Sequence, residues 1–299
     1  MINKNGLIKS FLFPIVFYSK NLSFNFGRQR MTLWGERIIR KHYNGELITD
    51  SKDGRTFIFN FPRDYGAETV YLLGEYETET SNIFKKIIKK DDIIFDLGAN
   101  YGWYTTLFAK LAYQGYCHAF EPIEWIFNSL KRNCRINHLD NVFLNQLAVG
   151  DSIKEVEMFV FDELPHGHSS ISNYASNEYI SSKSQMITLN NYISTNDIDK
   201  IDLIKCDIEG SELKMLEGAT DLFELKKPPI WIFEMNKETS DALGFSPSAI
   251  LEFLMQFYEY KFFSVENGWG KIKEMNDIYD YKDGDNVFCT VPKFHKSII

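Results

Sequence analysis

The sequence predicts an α/β protein in which a mostly parallel sheet carries helices on both faces. Three observations predict it. From Asp91 onward, short apolar strand-like runs alternate with helix-period segments, the pattern of right-handed crossover connections. The run Ile93-Ile94-Phe95 leads into Asp96-Leu97-Gly98-Ala99-Asn100-Tyr101-Gly102, and a helical pattern opens at Trp103. Acids recur at the ends of apolar runs, at Glu121, Asp207 and Glu234, where open α/β sheets form their ligand crevice.

The chain has 299 residues, 44% hydrophobic and 25% charged, values ordinary for a soluble globular protein. Its charge is uneven. Residues 1–41 hold eight basic side chains (Lys4, Lys9, Lys20, Arg28, Arg30, Arg37, Arg40 and Lys41) and one acid, Glu36, so this arm carries +7 and the remainder −15. Such an arm can bind an anionic lipid surface or an acidic partner, or dock as a solvated face on the acidic body. The apolar run Phe11 to Tyr18 is too short to span a bilayer and lacks a small-x-small cleavage site at Ser19-Lys20-Asn21-Leu22. It reads as an amphipathic or packing segment able to rest on a membrane, with a cytoplasmic location expected. Cys117, Cys134, Cys206 and Cys289 form no CxxC pair and read as buried, reduced thiols.

Residues 1–80 are expected to form an N-terminal extension, a basic arm plus a small hairpin or strand region over 47–73. Residues 81–299 are expected to form the main domain. Within it a short helix over 81–90, capped by Ser81, comes first. Strands follow near 92–97, 116–121, 141–149, 201–207, 229–235, 260–265 and 286–291, with helices near 103–114, 123–137, 211–219 and 246–258. The last two strands can close as an antiparallel pair. Between 150 and 195 the alternation of Glu155 to Phe161, a polar loop, and a strand over Gln185 to Ile193 predict an inserted β-hairpin. His166-Gly167-His168 in that loop reads either as polar surface or as part of a lid or acceptor-recognition loop.

The loop at 96–102 has the spacing Asp-x-Gly-x-Asn-x-Gly. A dinucleotide fingerprint starting from Gly98 would need glycines where Asn100 and Trp103 stand, so the loop points to another adenosine-bearing cofactor. Its glycines allow close backbone approach, and the helix N-terminus offers N–H groups to an anion. Glu121, ahead of Pro122 and 19 residues beyond Gly102, is placed to accept hydrogen bonds from ribose hydroxyls; a helix N-terminal acid before a first-turn proline is the structural alternative. At the third strand end, Gln146 could offer an amide to an adenine, with Leu147 and Ala148 flanking the ring. In Lys205-Cys206-Asp207-Ile208-Glu209-Gly210-Ser211-Glu212, Asp207 and Glu209 are the candidates for chemistry, and Glu212 suits a helix terminus. Asp207, Glu234 and Asn236 could converge on a divalent cation such as Mg²⁺, although substrate hydroxyls would call for the same residues.

Together these residues resemble the FkbM family of S-adenosylmethionine-dependent methyltransferases. The resemblance runs from about Glu75 to Asn236 and rests on the loop at 96–102, Glu121-Pro122, Ala148 to Asp151, the block from Lys205 to Glu212, Gly218-Ala219 and Pro229 to Glu234. It implies a class I, Rossmann-like methyltransferase fold with a seven-stranded sheet, usually acting on oxygen. It implies a cofactor cradle of Asp96, Gly98, Ala99, Asn100, Tyr101, Gly102 and Glu121, with Tyr76 and Glu77 from the element before the first strand. Aromatics such as Tyr76 and Tyr101, or nearby acids, would balance the sulfonium. Where the family has acids before its fourth strand, this chain has Thr188-Leu189-Asn190-Asn191.

Asp207 or Glu209 is the expected base, and a sugar, glycan or related metabolite hydroxyl the expected acceptor, without nucleic acid. The rival readings are an NAD- or nucleotide-sugar-binding enzyme, against which the loop spacing counts, and a non-catalytic cofactor-binding scaffold of a glycan assembly complex.

Overall fold

The computed structural model describes residues 4–21, 28–61, 63–64, 66–160, 169–170, 180–268 and 270–296. Two helices come first, α1 (Lys4–Asn21) and α2 (Arg28–His42), then the hairpin β1 (Gly45–Asp50) and β2 (Thr56–Phe61), and the helices α3 (Ala67–Leu73) and α4 (Thr78–Ile87). The alternating core follows as β3 (Ile93–Leu97), α5 (Trp103–Leu111), β4 (Tyr116–Phe120), α6 (Glu124–Ile136) and β5 (Val142–Asn145). The insertion holds β6 (Ala148–Val149), β7 (Lys154–Val160), β8 (Ser169–Ser170) and β9 (Ile180–Ile187). The chain then continues through α7 (Leu189–Thr195), β10 (Leu203–Cys206), α8 (Glu212–Glu217), β11 (Ile230–Met235), α9 (Lys237–Ala242), α10 (Ser248–Leu254), β12 (Lys261–Val265), β13 (Ile272–Glu274) and β14 (Asp285–Thr290).

The main sheet has the order β13-β12-β14-β11-β10-β3-β4-β5. From β11 to β5 neighbouring strands are parallel. β14 runs antiparallel to both β11 and β12. Setting aside β13, this is the class I methyltransferase arrangement, and β13 makes an eighth strand where seven were expected. Alternate residues of each strand serve opposite faces. On β3, Ile94 packs with Trp103, Leu107 and Phe108, whereas Phe95 and Leu97 pack with Met215, Leu216 and Leu251. Both faces are therefore covered, as a parallel sheet requires.

Several local expectations need correction. The strand expected over 141–149 divides. Asn145 closes β5 by donating to the carbonyls of Ala119 and Phe143, and β6 joins a second sheet of order β6-β9-β7-β8. β7 and β9 do form the expected antiparallel hairpin. The strand expected to reach Ile193 stops at Ile187, because Thr188 caps α7 by accepting from the Asn191 N–H at 3.1 Å. A side-chain cap there outweighs the β-favouring composition. Ser81 is not a cap: α4 begins at Thr78, and the Ser81 hydroxyl donates to the Tyr76 carbonyl. The region 47–73 contains α3 as well as the hairpin, and the N-terminal arm forms α1 and α2. His166 and His168 lie outside the described residues. All four cysteines are buried, free thiols. Among the described residues no helix is long and apolar enough to cross a membrane.

Candidate active site

The carboxyl ends of β3, β4 and β10 meet at one cleft. Gly98 is the tightest point of the junction. Its φ is +77°, and a Cβ there would lie 1.8 Å from the Asp207 carbonyl oxygen. Only glycine permits both the left-handed conformation and this approach. The loop is tied to the tip of β4 by the Gly98 and Ala99 N–H groups, which donate to the Phe120 carbonyl. Asn100 holds a φ of 49°, a conformation asparagine tolerates better than most residues. Its side-chain oxygen accepts from the Tyr101 N–H. Gly102, at φ +90°, caps α5 and lies behind the cleft surface.

Two cavities open along this junction. The first encloses about 640 Å³, part of it open to solvent, between Glu121, Pro122, Leu147, Ala148, Val149 and Met158 on one side and Ile208, Glu209 and Ser211 on the other. The second encloses about 500 Å³ and is walled by Gly66, Tyr76, Ala99, Tyr101, Trp103, Tyr104 and Lys205. Gly98, Asn100 and Asp207 line both, so they form the waist of one cleft.

In the first cavity Glu121 is buried and anchored by backbone. One carboxylate oxygen accepts from the Asn100 N–H at 3.0 Å and the other from the Ile123 N–H at 2.9 Å. Burial outweighs these two hydrogen bonds, and the carboxyl is pushed up to about 7. The Ser211 hydroxyl oxygen is buried against this cavity without a hydrogen-bond partner among the described residues. An orphaned polar atom of this kind fits a bound polar ligand. Gln146 corrects an expectation: it is exposed and does not line the cavity. The chain turns between β5 and β6, and it is the apolar Leu147, Ala148 and Val149 that face the cleft.

The second half concentrates charge. Lys205 is almost fully buried, 3.1 Å from an Asp207 oxygen, 3.9 Å from an Asp96 oxygen, and over the Tyr104 ring. Burial opposes its charge, but the carboxylates of Asp207 and Asp96 outweigh burial and raise the ammonium above its ordinary value. Asp96 is fully buried behind the loop. Its second oxygen accepts from Thr105 at 2.5 Å, and burial raises its carboxyl despite Lys205. Glu77 is likewise held behind the wall by Tyr104 at 2.5 Å and Asn286 at 2.9 Å. Burial, with Asp207 nearby, raises its carboxyl although Tyr104 and Lys205 oppose the shift.

Oxygens of Asp207, Glu209 and Glu234 lie within 4.8 Å of one another. Glu209 sits in the left-handed region at φ 54°. Burial, followed by Asp207 and Glu209, pushes the Glu234 carboxyl well above its usual range. Like charges so close favour retention of a proton. Asn236 does not join this group. It caps α9 by accepting from the Thr239 N–H at 3.2 Å, so the expected trio with Asp207 and Glu234 contains Glu209 instead. Glu212 is structural, as its position suggested: it accepts from the Ile208 and Gly210 N–H groups at 3.0 and 3.3 Å, and burial pushes it up to about 7. The Thr188 to Asn191 stretch caps α7 and, through Asn190, accepts from the Asp221 N–H. Lys205, Tyr104 and Met158 received no role from the sequence. A lysine on a strand buried on both faces, at an alternation position shared with Asp207, was the available signal for the first.

Residues 96–262 match the model of the Methyltransferase FkbM domain. "Methyltransferase 1" of Beauveria bassiana is 23% identical over 151 residues, covering 44% of this chain and 59% of that protein; the chain thus spans less than two thirds of that relative's length. Among solved structures, M. jannaschii TYW2 in complex with AdoMet overlaps 83% of this chain and 84% of its own, at 14% identity and a TM-score of 0.42. A SAM-dependent O-methyltransferase from Thermotoga maritima overlaps 83% and 93%, at 11% identity and a TM-score of 0.40. The fold assignment rests on the strand order itself.

Proposed function

The chain belongs to the FkbM methyltransferase family, and on that premise we propose that it transfers a methyl group from S-adenosylmethionine to a hydroxyl of a sugar, glycan or related metabolite. The observation that carries the reading is the divided cleft: an apolar cavity with a backbone-anchored acid joins a charged cavity at Gly98, Asn100 and Asp207. The donor set suits the cofactor. Leu147, Ala148, Val149, Met158 and Ile208 offer apolar surface to an adenine, Glu121 and Ser211 offer polar atoms to hydroxyls and ring nitrogens, and the loop before α5 suits the methionine carboxylate.

Bound S-adenosylmethionine supplies a methyl group on a sulfonium, already a good leaving group. The chain's own part is mainly alignment. Glu121 accepts from the ribose. Tyr76, Tyr101 and Tyr104 wall the second cavity. Asp207 or Glu209 takes the acceptor proton as methyl transfer proceeds. Lys205 holds Asp207 in place, and Glu234 keeps a proton that prevents three carboxylates from repelling one another. A divalent cation on Asp207, Glu209 and Glu234 is the second reading, favoured by the mutual approach of their oxygens. It predicts activity lost on chelation and restored by Mg²⁺, whereas proton sharing predicts activity indifferent to chelation.

The test is mass spectrometry of cell-surface glycans and small metabolites with and without the gene. A component lighter by one methyl group in the deletion, restored by wild type and not by Glu209→Gln, supports the reading. Unchanged profiles together with no cofactor binding would favour a role outside methyl transfer.

A further inference from the structure

α1 and α2 pack together and against α3. Leu12 and Ile15 of α1 and Ile39 of α2 are buried, and Gly35 lets α2 approach α3 closely, since a Cβ there would meet Leu72 at 3.0 Å. The outer face is the unusual one. Leu7, Phe11, Phe13 and Phe17 of α1 and Leu33 and Trp34 of α2 are 49–70% exposed. Phe11 of α1 meets Trp34 of α2 edge to face at 5.2 Å, and Phe13 stacks with Phe17 along α1 at 6.4 Å. Six large apolar side chains left to water on one helix pair call for a partner.

Charge identifies that partner. Lys9, Arg30, Arg37 and Lys41 are exposed on the same two helices, within a segment of net charge +7. Phe, Leu and Trp side by side with Lys and Arg is the composition of helices that lie in a bilayer interface. A two-fold contact with a second copy would bury the apolar face only by bringing the exposed cations Lys9, Arg30, Arg37 and Lys41 of the two copies together. An anionic bilayer satisfies both features at once. Neither helix is long and apolar enough to cross it, so the pair lies on the surface.

We propose that the outer face of α1 and α2 docks this protein on an anionic lipid bilayer, with Phe13, Phe17, Leu33 and Trp34 entering the interface and Arg30, Arg37 and Lys41 engaging headgroup phosphates. The docking does not rest on the methyl-transfer reading, and its test involves no turnover.

The full-length protein is sedimented with phosphatidylcholine vesicles and with vesicles containing one-third phosphatidylglycerol. Binding at least about tenfold tighter to the anionic vesicles, weakened by high salt, is expected. Phe13→Ser/Phe17→Ser should lose about tenfold or more by removing two interfacial rings. Arg30→Glu/Arg37→Glu/Lys41→Glu should lose about a hundredfold on anionic vesicles. All substituted side chains are exposed, and unchanged circular-dichroism melting in both variants would show that the fold is retained. No binding to anionic vesicles would overturn the proposal, as would binding that both folded variants keep. A dimer in sedimentation equilibrium that Phe13→Ser/Phe17→Ser dissociates would assign the patch to a second copy instead.

Discussion

The two halves of the cleft solve the burial of charge in different ways. Around Glu121 a single carboxyl is held by two backbone N–H groups inside an apolar wall. Around Lys205 the acids Asp96, Glu77, Asp207, Glu209 and Glu234 cluster about one buried cation. Backbone donors are fixed by the fold, so the first arrangement is rigid and suits recognition of a constant ligand. The second depends on which acids hold protons. It is therefore sensitive to a single substitution and suits chemistry in which a proton must move.

The sharpest way to break both halves together is Gly98→Ala. The added Cβ would strike the Asp207 carbonyl and require a left-handed alanine. A loss of more than about 4 kcal/mol is expected, read by denaturant unfolding, with cofactor binding abolished. Lys205→Met should damage chiefly the charged half, reaching the first cavity only through Asp207. Removing one member of a buried ionic group costs about 3–5 kcal/mol. The Asp96 and Glu77 carboxyls, raised by burial and held down in part by Lys205, are then raised further above their unfolded values. Their contribution to stability is present at low pH and lost as pH rises, so the variant's deficit should shrink toward pH 5 in thermal melts. An equal deficit at all pH values would contradict the assignment.

Glu209→Gln changes one wall residue of the first cavity but leaves Glu121 and the apolar wall of Leu147, Ala148 and Val149 in place. Turnover in the deletion strain should fall at least about a hundredfold while cofactor affinity changes less than about threefold. Full activity would remove Glu209 from the chemistry and leave Asp207 as the base. Glu121→Gln should have the gentlest effect, weakening cofactor binding about tenfold near neutral pH through loss of one charged acceptor. It also has a stability signature. The Glu121 carboxyl is raised to about 7, so its contribution is full below the unfolded value and lost as pH rises through 7. Relative to wild type, Glu121→Gln should thus gain about 2–3 kcal/mol between pH 4.5 and 7.

Legibility in the sequence followed the same division. The loop at 96–102, Glu121 and the pair Asp207 and Glu209 could be placed because each sits at a strand end, and strand ends are marked by apolar runs followed by glycine or an acid. The mostly parallel sheet followed from the alternation of elements, and the antiparallel pairing of β12 with β14 from two strands that succeed the last helix; the strand order itself is read from the structure. Gln146 and Asn236 misled for a common reason. Both lie where the chain turns, and polar turn residues can serve the backbone or face solvent as readily as they serve a ligand. Glu209 replaced Asn236 in the acidic group because its left-handed backbone, invisible in composition, brings it beside Glu234. Lys205 was overlooked because a lone lysine on a strand reads as an edge residue until the partners on β3 are known. In the N-terminal arm only Phe11 to Tyr18 reads as an amphipathic or packing segment; the full extent of α1 was hidden by Phe11, Phe13 and Phe17 on its outer face, which obscure the amphipathic period.

Calorimetric titration of S-adenosylhomocysteine near pH 6, in buffers of different ionisation enthalpy, tests the divided cleft most directly. A Glu121 carboxyl raised to about 7 by burial should be largely protonated in the free protein at that pH, and ribose hydroxyls that donate to it favour the ionised form. Wild type should release about one proton on binding, and Glu121→Gln should release none. Binding without proton release in wild type, or the same release in both proteins, would contradict the account.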